Sequence, residues 1–117
     1  MSVDPNCVGN YLVDVINSKI HRVTYYKTIV ERFDLPDLDG AWSSHPLRDI
    51  FLFLDRQDAA ANRPFRTSVV IKIKTNSPGP GYFEALEELK GIADPKTKAA
   101  REKLWLSELN KVYSYPW

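Results

Sequence analysis

The sequence predicts an α+β fold of about five helices and one small β-hairpin. Three observations lead to this prediction. Apolar residues recur at helical spacing in several segments, an alternating run at 67–74 is typical of a strand, and a turn rich in Pro and Gly follows that run. A helix at 24–34, a turn, a helix at 44–62 and the strand succeed one another in the centre of the chain. This order is that of a winged helix-turn-helix, with the hairpin at 67–83 as its wing.

The bulk composition favours one soluble domain over residues 1–117. Hydrophobic residues make up 44% of the chain, which is enough for a packed core. The formal net charge of +1 is not the basic excess of a strong nucleic-acid binder, so any DNA contact needs local clustering of charge. Cys7 is the single cysteine, which excludes an internal disulfide. Without a secretory signal or a long apolar run, we expect a cytoplasmic protein with no membrane association.

The first two helices each follow a capping residue. Asp4-Pro5 combines an Asp cap with Pro in the first turn, and it opens a helix expected over 5–19. Gly9 is expected to weaken the first turns of this helix. Thr24 is the expected cap of the second helix, over 24–34, which is so short that it depends on packing.

The third helix carries the clearest apolar stripe. Its start signal is Ser44 or His45 as cap with Pro46 in the first turn. Four apolar residues follow at i, i+3, i+4 and i+7, and further apolar side chains widen the face. We therefore expect this helix to be buried on more than one side. The four residues of the stripe are Leu47, Ile50, Phe51 and Leu54.

The last third of the chain is expected to hold the wing and two helices. After the strand and its turn, Tyr82-Phe83 is expected to return as a second strand. A short helix at 84–90 then ends at Gly91, which suits a left-handed C-terminal cap. Asp94-Pro95 repeats the Asp-plus-Pro start and opens the last helix.

Four short motifs resemble the C-terminal winged-helix domain of alkylguanine-DNA alkyltransferases and the non-enzymatic alkyltransferase-like proteins. The segment at 24–36 is similar to the family's Thr-Tyr-Gly-x-Ile-Ala segment and the Gly-x-Pro that follows it. The segment at 63–70 stands where the family has its Pro-Cys-His-Arg-Val-Val strand. Gly79-Pro80-Gly81-Tyr82 falls near the glycine-rich loop, and 100–106 resembles the closing basic and aromatic helix. The resemblance implies a DNA-binding winged helix.

One departure from the family pattern excludes its chemistry. Phe65 stands where the alkyl-accepting cysteine would be, and no histidine follows it. A thiolate is the nucleophile in that reaction, and phenylalanine cannot supply one. The resemblance therefore points to the non-enzymatic members, which also lack this cysteine, and no enzymatic activity is expected.

Candidate DNA contacts lie in two groups. The first group lies at the start of the third helix. His45 in this group has a purely structural alternative, as a helix cap or a surface residue. The second group consists of basic residues around the strand, whose bland alternative is a solvated strand face. Asp49, Asp55 and Asp58 on the third helix would repel phosphates. The candidates are Ser43, Ser44, His45 and Arg48 in the first group and Arg63, Arg66, Lys72 and Lys74 in the second.

The sequence thus favours a small non-enzymatic protein that binds double-stranded DNA. The alternative is a protein-interaction module of the same fold, such as an adaptor, an immunity protein or an inhibitor. Trp42, in a loop, and Trp117, in the tail, are its candidate contacts. We expect no cofactor and no metal site, because two histidines and one cysteine show no ligand spacing.

Overall fold

The computed structural model describes residues 3–117. This part of the chain forms five α-helices and two short strands, which agrees with the predicted α+β class and number of helices. Two 3-10 helices, Trp42–Ser44 and Arg66–Val69, precede α3 and β2. The elements in chain order are α1 (Pro5–Asn17), β1 (Thr24–Tyr25), α2 (Tyr26–Arg32), α3 (Pro46–Ala60), β2 (Val70–Ile71), α4 (Pro80–Lys90) and α5 (Lys98–Ser114).

Three of the predicted helix boundary signals are confirmed. The Asp4 side chain accepts a hydrogen bond from the Asn6 N–H at 2.9 Å, as expected of a cap of α1. His45 caps α3, since its Nδ1 accepts from the Leu47 N–H at 3.0 Å. Gly91 ends α4 with a φ of 67°, a left-handed conformation that glycine adopts without strain.

Two boundary predictions are wrong because the predicted caps have other partners. Thr24 lies in β1, where its Oγ1 is hydrogen-bonded to the Tyr11 hydroxyl at 2.8 Å, and α2 begins after it. Asp94 accepts from the Lys96 N–H and holds the Arg101 guanidinium. The chain therefore turns at Asp94, and α5 begins at Lys98 with Thr97 as its cap.

The expected β-hairpin over 67–83 is wrong. The only extended part of this region is Val70–Ile71, and it pairs in parallel with Thr24–Tyr25. A hairpin joins two antiparallel strands, so this sheet is not a wing. The preceding Arg66–Val69 is a 3-10 helix in which every residue is buried. The alternation of apolar and polar residues therefore does not mark a half-exposed strand.

The second half of the expected hairpin is helical for a local reason. The chain reverses after β2 in a turn that is closed by the Lys72 N–H donating to the Ser77 carbonyl at 2.9 Å. Pro80 then occupies the first turn of α4, where its missing N–H costs no hydrogen bond. Tyr82 and Phe83 consequently lie in α4 and face the core instead of forming a return strand.

The core is built around α3, which contacts α1, α4 and the 3-10 helix Arg66–Val69. The expectation that α3 is buried on more than one side is wrong: Leu47 and Leu54 are fully buried on one face of the helix, whereas Phe53, on another face, is 44% exposed. Two carboxylates of α3, Asp55 and Asp58, are buried as well. Of the three carboxylates that we expected to face DNA from this helix, Asp55 and Asp58 are therefore inside the protein and only Asp49 is exposed.

Arg66 and Arg63 neutralise the buried Asp58. The Asp58 side chain is inaccessible to solvent and accepts from the Arg66 N–H at 2.9 Å and the Arg66 Nε–H at 3.1 Å. The Arg63 Nε–H donates to the same carboxylate at 2.7 Å. Gln57 Oε1 accepts from Arg66 Nη2 at 2.7 Å. This network ties the end of α3 to the segment that leads into β2.

Gly9 on α1 lies against this network. A Cβ atom at Gly9 would be 2.6 Å from Arg66 Nη1 and 3.0 Å from Leu54 Cδ2. In an exposed helix, replacing Gly with Ala adds about 1 kcal/mol of stability. Here we expect Gly9→Ala to lower the free energy of unfolding by about 1–3 kcal/mol, because Arg66 cannot move without losing Asp58. Urea unfolding measures the change.

Gly40→Ala is the matched control, because a Cβ atom there would have no neighbour within 4 Å. We expect its free energy of unfolding to be unchanged or slightly raised. Equal stabilities of the Gly9→Ala and Gly40→Ala variants would show that α1 has room to move away from Arg66.

No helix within residues 3–117 is both long enough and apolar enough to cross a membrane.

Candidate binding cleft

A cleft of about 660 Å³ opens between two parts of the chain. The loop before α3 and the start of α2 form one side, and the turn after β2 and the first turns of α4 form the other. Its volume is within the range of about 300–1,000 Å³ that is typical of small-molecule sites. It combines an aromatic wall, a buried carboxylate and a rim of cations, each described below.

The aromatic wall consists of Tyr26, Trp42 and Phe51. Their ring centroids are 5.6–6.1 Å apart. The rings meet edge-on or tilted, which are arrangements that aromatic pairs prefer. His45 stacks on Trp42 with an interplanar angle of 11°. His45 Nε2 donates to the Pro36 carbonyl at 2.7 Å, since Nδ1 already accepts from Leu47. Both ring nitrogens are therefore used inside the protein, and His45 fixes the wall in place.

Asp55 forms the floor of the cleft. Its side chain is only 4% exposed, and Thr67 Oγ1 donates to Asp55 Oδ1 at 2.7 Å. Burial raises the pKa of Asp55 to about 7, and the negative charge of Asp58 adds to the rise. The hydrogen bond from Thr67 and the positive charges of Arg66 and Lys90 oppose it. Asp55 therefore changes charge near neutral pH.

Two tyrosines stand beside this carboxylate. The Tyr26 hydroxyl oxygen accepts from the Gly79 N–H at 3.1 Å, which fixes the start of α4 against α2. The Tyr82 hydroxyl is hydrogen-bonded to Ser68 Oγ at 2.7 Å. Burial raises the pKa of both tyrosines, so both are neutral hydroxyls at physiological pH.

Cations dominate one part of the rim. Arg48 pairs with the exposed Asp49 at 3.5 Å, and Lys27 pairs with the exposed Glu31 at 3.9 Å. Exposed pairs of this kind contribute little and break easily. Lys72 and Lys74 are exposed and form no salt bridge within residues 3–117. Glu84 and Glu88 line the α4 side.

The structure brings five of the predicted site residues to this cleft. They come from the loop before α3, from α3 itself and from the turn after β2. Ser43 and Ser44 are exposed beside it, and Ser44 Oγ donates to the Ala41 carbonyl. The five residues are Trp42, His45, Arg48, Lys72 and Lys74.

The other three predicted residues lie elsewhere. Arg66 was expected to contribute to an exposed phosphate-binding surface, but it is 6% exposed because it neutralises Asp58. Arg63 binds the same carboxylate. Trp117 packs on Tyr115 at a centroid distance of 4.6 Å, and its Nε1–H donates to the Val112 carbonyl. Neither Arg63 nor Arg66 lines the cleft.

Sequence reasoning missed the floor of the cleft. Asp55 and Thr67 were not among the candidate residues, although one signal was present. Asp55 and Asp58 follow Phe51 and Leu54 at four-residue spacing, so both continue the apolar stripe of α3. A carboxylate on the buried face of a helix needs a partner or a function.

The chain matches no protein-family model, no curated protein and no solved structure. Within residues 3–117, no group of three or more His, Cys, Asp or Glu side chains is arranged to hold a metal ion.

Proposed function

We propose that the chain is a small, non-enzymatic DNA-binding protein that contacts DNA at the mouth of the cleft. The observation that carries the proposal is the convergence of Lys27, Arg48, Lys72 and Lys74 on one opening. A net charge of +1 is too small for binding by the whole surface, but a local cluster is sufficient for phosphate contacts. A reducing, cytoplasmic setting belongs to the same proposal and is supported by the exposed free thiol of Cys7.

The proposed binding mode is not that of an inserted recognition helix with a wing. One face of α3 is buried against the core, its outer face carries Asp49 and Phe53, which are not basic base-reading residues, and the region 67–83 forms no hairpin. DNA would instead lie across the N-terminal end of α3, where Ser43, Ser44 and Arg48 are exposed. The resemblance to alkyltransferase-like proteins supports DNA as the partner, and Phe65, which is 1% exposed, supports a role without chemistry.

Charge reversal at the turn after β2 tests this surface. We expect the double variant Lys72→Glu/Lys74→Glu to lose about tenfold or more in affinity for labelled duplex DNA, because two phosphate contacts become repulsive. The slope of log affinity against log salt should also become less steep by about two. Fluorescence anisotropy across a salt series, starting near about 50 mM where electrostatic binding is strong, measures both quantities.

The double variant Lys98→Glu/Lys103→Glu is the control. Both lysines are exposed on α5, do not line the cleft, and give the same change in net charge. We expect it to keep most of the affinity. Equal losses in the two double variants, or no binding by the unmodified protein at low salt, would contradict the proposal.

A protein partner is the second candidate function. The observation that favours it is the apolar character of the cleft mouth, where Leu38 and Ile73 are 38% and 57% exposed beside Trp42. Exposed apolar residues around an aromatic side chain are typical of a protein contact. A stoichiometric protein partner that is lost on Trp42→Ala, together with no DNA binding near about 50 mM salt, would favour this function.

A further inference from the structure

The floor of the cleft offers a hydrogen-bond acceptor that the protein itself does not use. Thr67 Oγ1 donates to Asp55 Oδ1, and Oδ2 has no donor within residues 3–117. Every fully enclosed side-chain oxygen or nitrogen in these residues has a partner. Oδ2 must therefore be reached from the cleft that Asp55 lines. A side chain that is 96% removed from solvent thus presents one free carboxylate oxygen to whatever occupies the cleft.

Two donors near this acceptor are also unused. Trp42 Nε1–H has no acceptor within residues 3–117, and it lies 3.3 Å from the point where a Cβ atom at Gly81 would sit. The Tyr26 hydroxyl accepts from Gly79, but its own proton has no acceptor in the described chain. Both side chains line the cleft. A matching ligand therefore needs at least one donor and one acceptor on a flat group that fits the aromatic wall.

The rim adds a requirement for negative charge. Four cations, Lys27, Arg48, Lys72 and Lys74, outnumber the carboxylates Glu84 and Glu88 at the rim and disfavour a ligand that is only cationic, such as a guanidinium or an organic amine. An entirely apolar ligand would leave Asp55 Oδ2 without a donor, which is costly for a buried group. A ligand that matches Asp55 at the floor, the aromatic wall and the cationic rim has a flat ring system with a hydrogen-bond donor and an acceptor. This ring system is joined to an anionic group.

We propose that the cleft binds a free nucleotide whose base carries an exocyclic amino group. The amino group donates to Asp55 Oδ2, a ring acceptor takes the proton of Trp42 or Tyr26, and the phosphate lies toward Lys72 and Lys74. Adenine, cytosine and guanine carry such an amino group. Uracil in place of cytosine, and hypoxanthine in place of adenine, have a carbonyl at this position, which would face the charged carboxylate of Asp55 oxygen to oxygen. Hypoxanthine in place of guanine has only a hydrogen there and offers no donor at that position. A cleft of about 660 Å³ has room for a nucleoside monophosphate.

This inference goes beyond DNA binding and does not require it, because a free nucleotide enters the cleft without a strand across its mouth. The two proposals therefore fail separately. Nucleotide binding without DNA binding would leave the inference standing and remove the proposed function. DNA binding without nucleotide binding would leave the proposed function standing and remove the inference.

Calorimetric titration with matched nucleotide pairs tests the inference. The titrations are made at pH 8.5, where Asp55 is charged. The probes are AMP and GMP against IMP, and CMP against UMP. GMP differs from IMP only by the amino group, whereas the other two pairs also exchange a ring acceptor for an N–H group. We expect at least one amino-bearing nucleotide to bind, and to bind about tenfold or more tightly than its matched partner, since a lost hydrogen bond leaves Asp55 unpaired. The corresponding nucleoside, which lacks the phosphate, should also bind about tenfold more weakly.

Two variants assign the contacts. Asp55→Asn should abolish or reverse the preference within a matched pair, because Thr67 holds the amide oxygen and the amide nitrogen then faces the cleft as a donor. Lys72→Glu/Lys74→Glu should weaken nucleotide binding but keep the ratio of affinities within each matched pair. Far-ultraviolet circular dichroism checks that both proteins are folded. Equal binding within every pair, binding by none of the amino-bearing nucleotides, or unchanged discrimination in Asp55→Asn would each overturn the inference.

Discussion

Asp58→Asn is expected to lower the free energy of unfolding by about 3–5 kcal/mol, because it removes the charge that neutralises a buried arginine. Asp58 is inaccessible to solvent and Arg66 is 6% exposed, so water cannot replace the lost partner. The amide also offers an N–H group where the carboxylate accepts from the guanidinium. Urea unfolding followed by tryptophan fluorescence measures the change. This loss is a large share of the total of about 5–15 kcal/mol that is typical of a domain.

Asp49→Asn is the matched control for this prediction. It makes the same chemical change on the same helix, but Asp49 is exposed and its nearest approach to Arg48 is 3.5 Å. Exposed pairs contribute about 0–1 kcal/mol, so we expect little change. If the two variants had equal stability, Arg66 would have found another partner, and the network around Asp58 would not hold α3 to the segment before β2.

The helices could be predicted from the sequence because their signals are local. His45 caps α3 through a residue two positions away, and the stripe that begins at Leu47 repeats within one helix. Gly91 ends α4 through its own backbone conformation. Signals of this kind depend on neighbouring residues, and they hold where no distant group competes for the capping side chain, as Tyr11 does for Thr24.

The sheet and the floor of the cleft could not be predicted because both depend on distant segments. Val70–Ile71 pairs with Thr24–Tyr25, and no local pattern tells a parallel partner from a hairpin partner. Asp55 and Asp58 are charged residues on a helix, so the sequence predicts that they lie on its polar face. Their partners, Thr67 and Arg66, come from beyond the end of α3.

The cations at the rim of the cleft also come from distant segments, so their convergence could not be predicted from the sequence. Arg48 belongs to α3, whereas Lys72 and Lys74 belong to the turn after β2. The parallel sheet and the start of α4 set the position of that turn. Three of the basic residues that the sequence singles out, Arg48, Lys72 and Lys74, therefore line the cleft, whereas Arg63 and Arg66 neutralise Asp58.

Asp55 is expected to make the stability of the protein depend on pH between about 4 and 7. Its pKa is about 7 in the folded protein and about 4 in an unfolded chain. The folded state therefore binds the proton more tightly, and this group contributes most to stability below pH 4. The contribution is lost as the pH rises toward 7, because the folded protein must then hold a buried charge. The groups that set this pKa include Asp58, Arg66 and Lys90.

Asp55→Asn should remove this dependence. The amide has the shape of the protonated carboxyl group and still accepts from Thr67, so the variant should match the original protein near pH 3.5, where Asp55 is protonated in both the folded and the unfolded state. At pH 8.5 it should be more stable by about 2–4 kcal/mol, since three pKa units at 1.36 kcal/mol each set the upper limit. Urea unfolding at both values measures the difference. Asp14→Asn, which removes an exposed carboxyl group from α1, should leave the pH profile unchanged. Parallel profiles for the original protein and Asp55→Asn would mean that Asp55 is already charged at pH 5, with enough water in the cleft to solvate it.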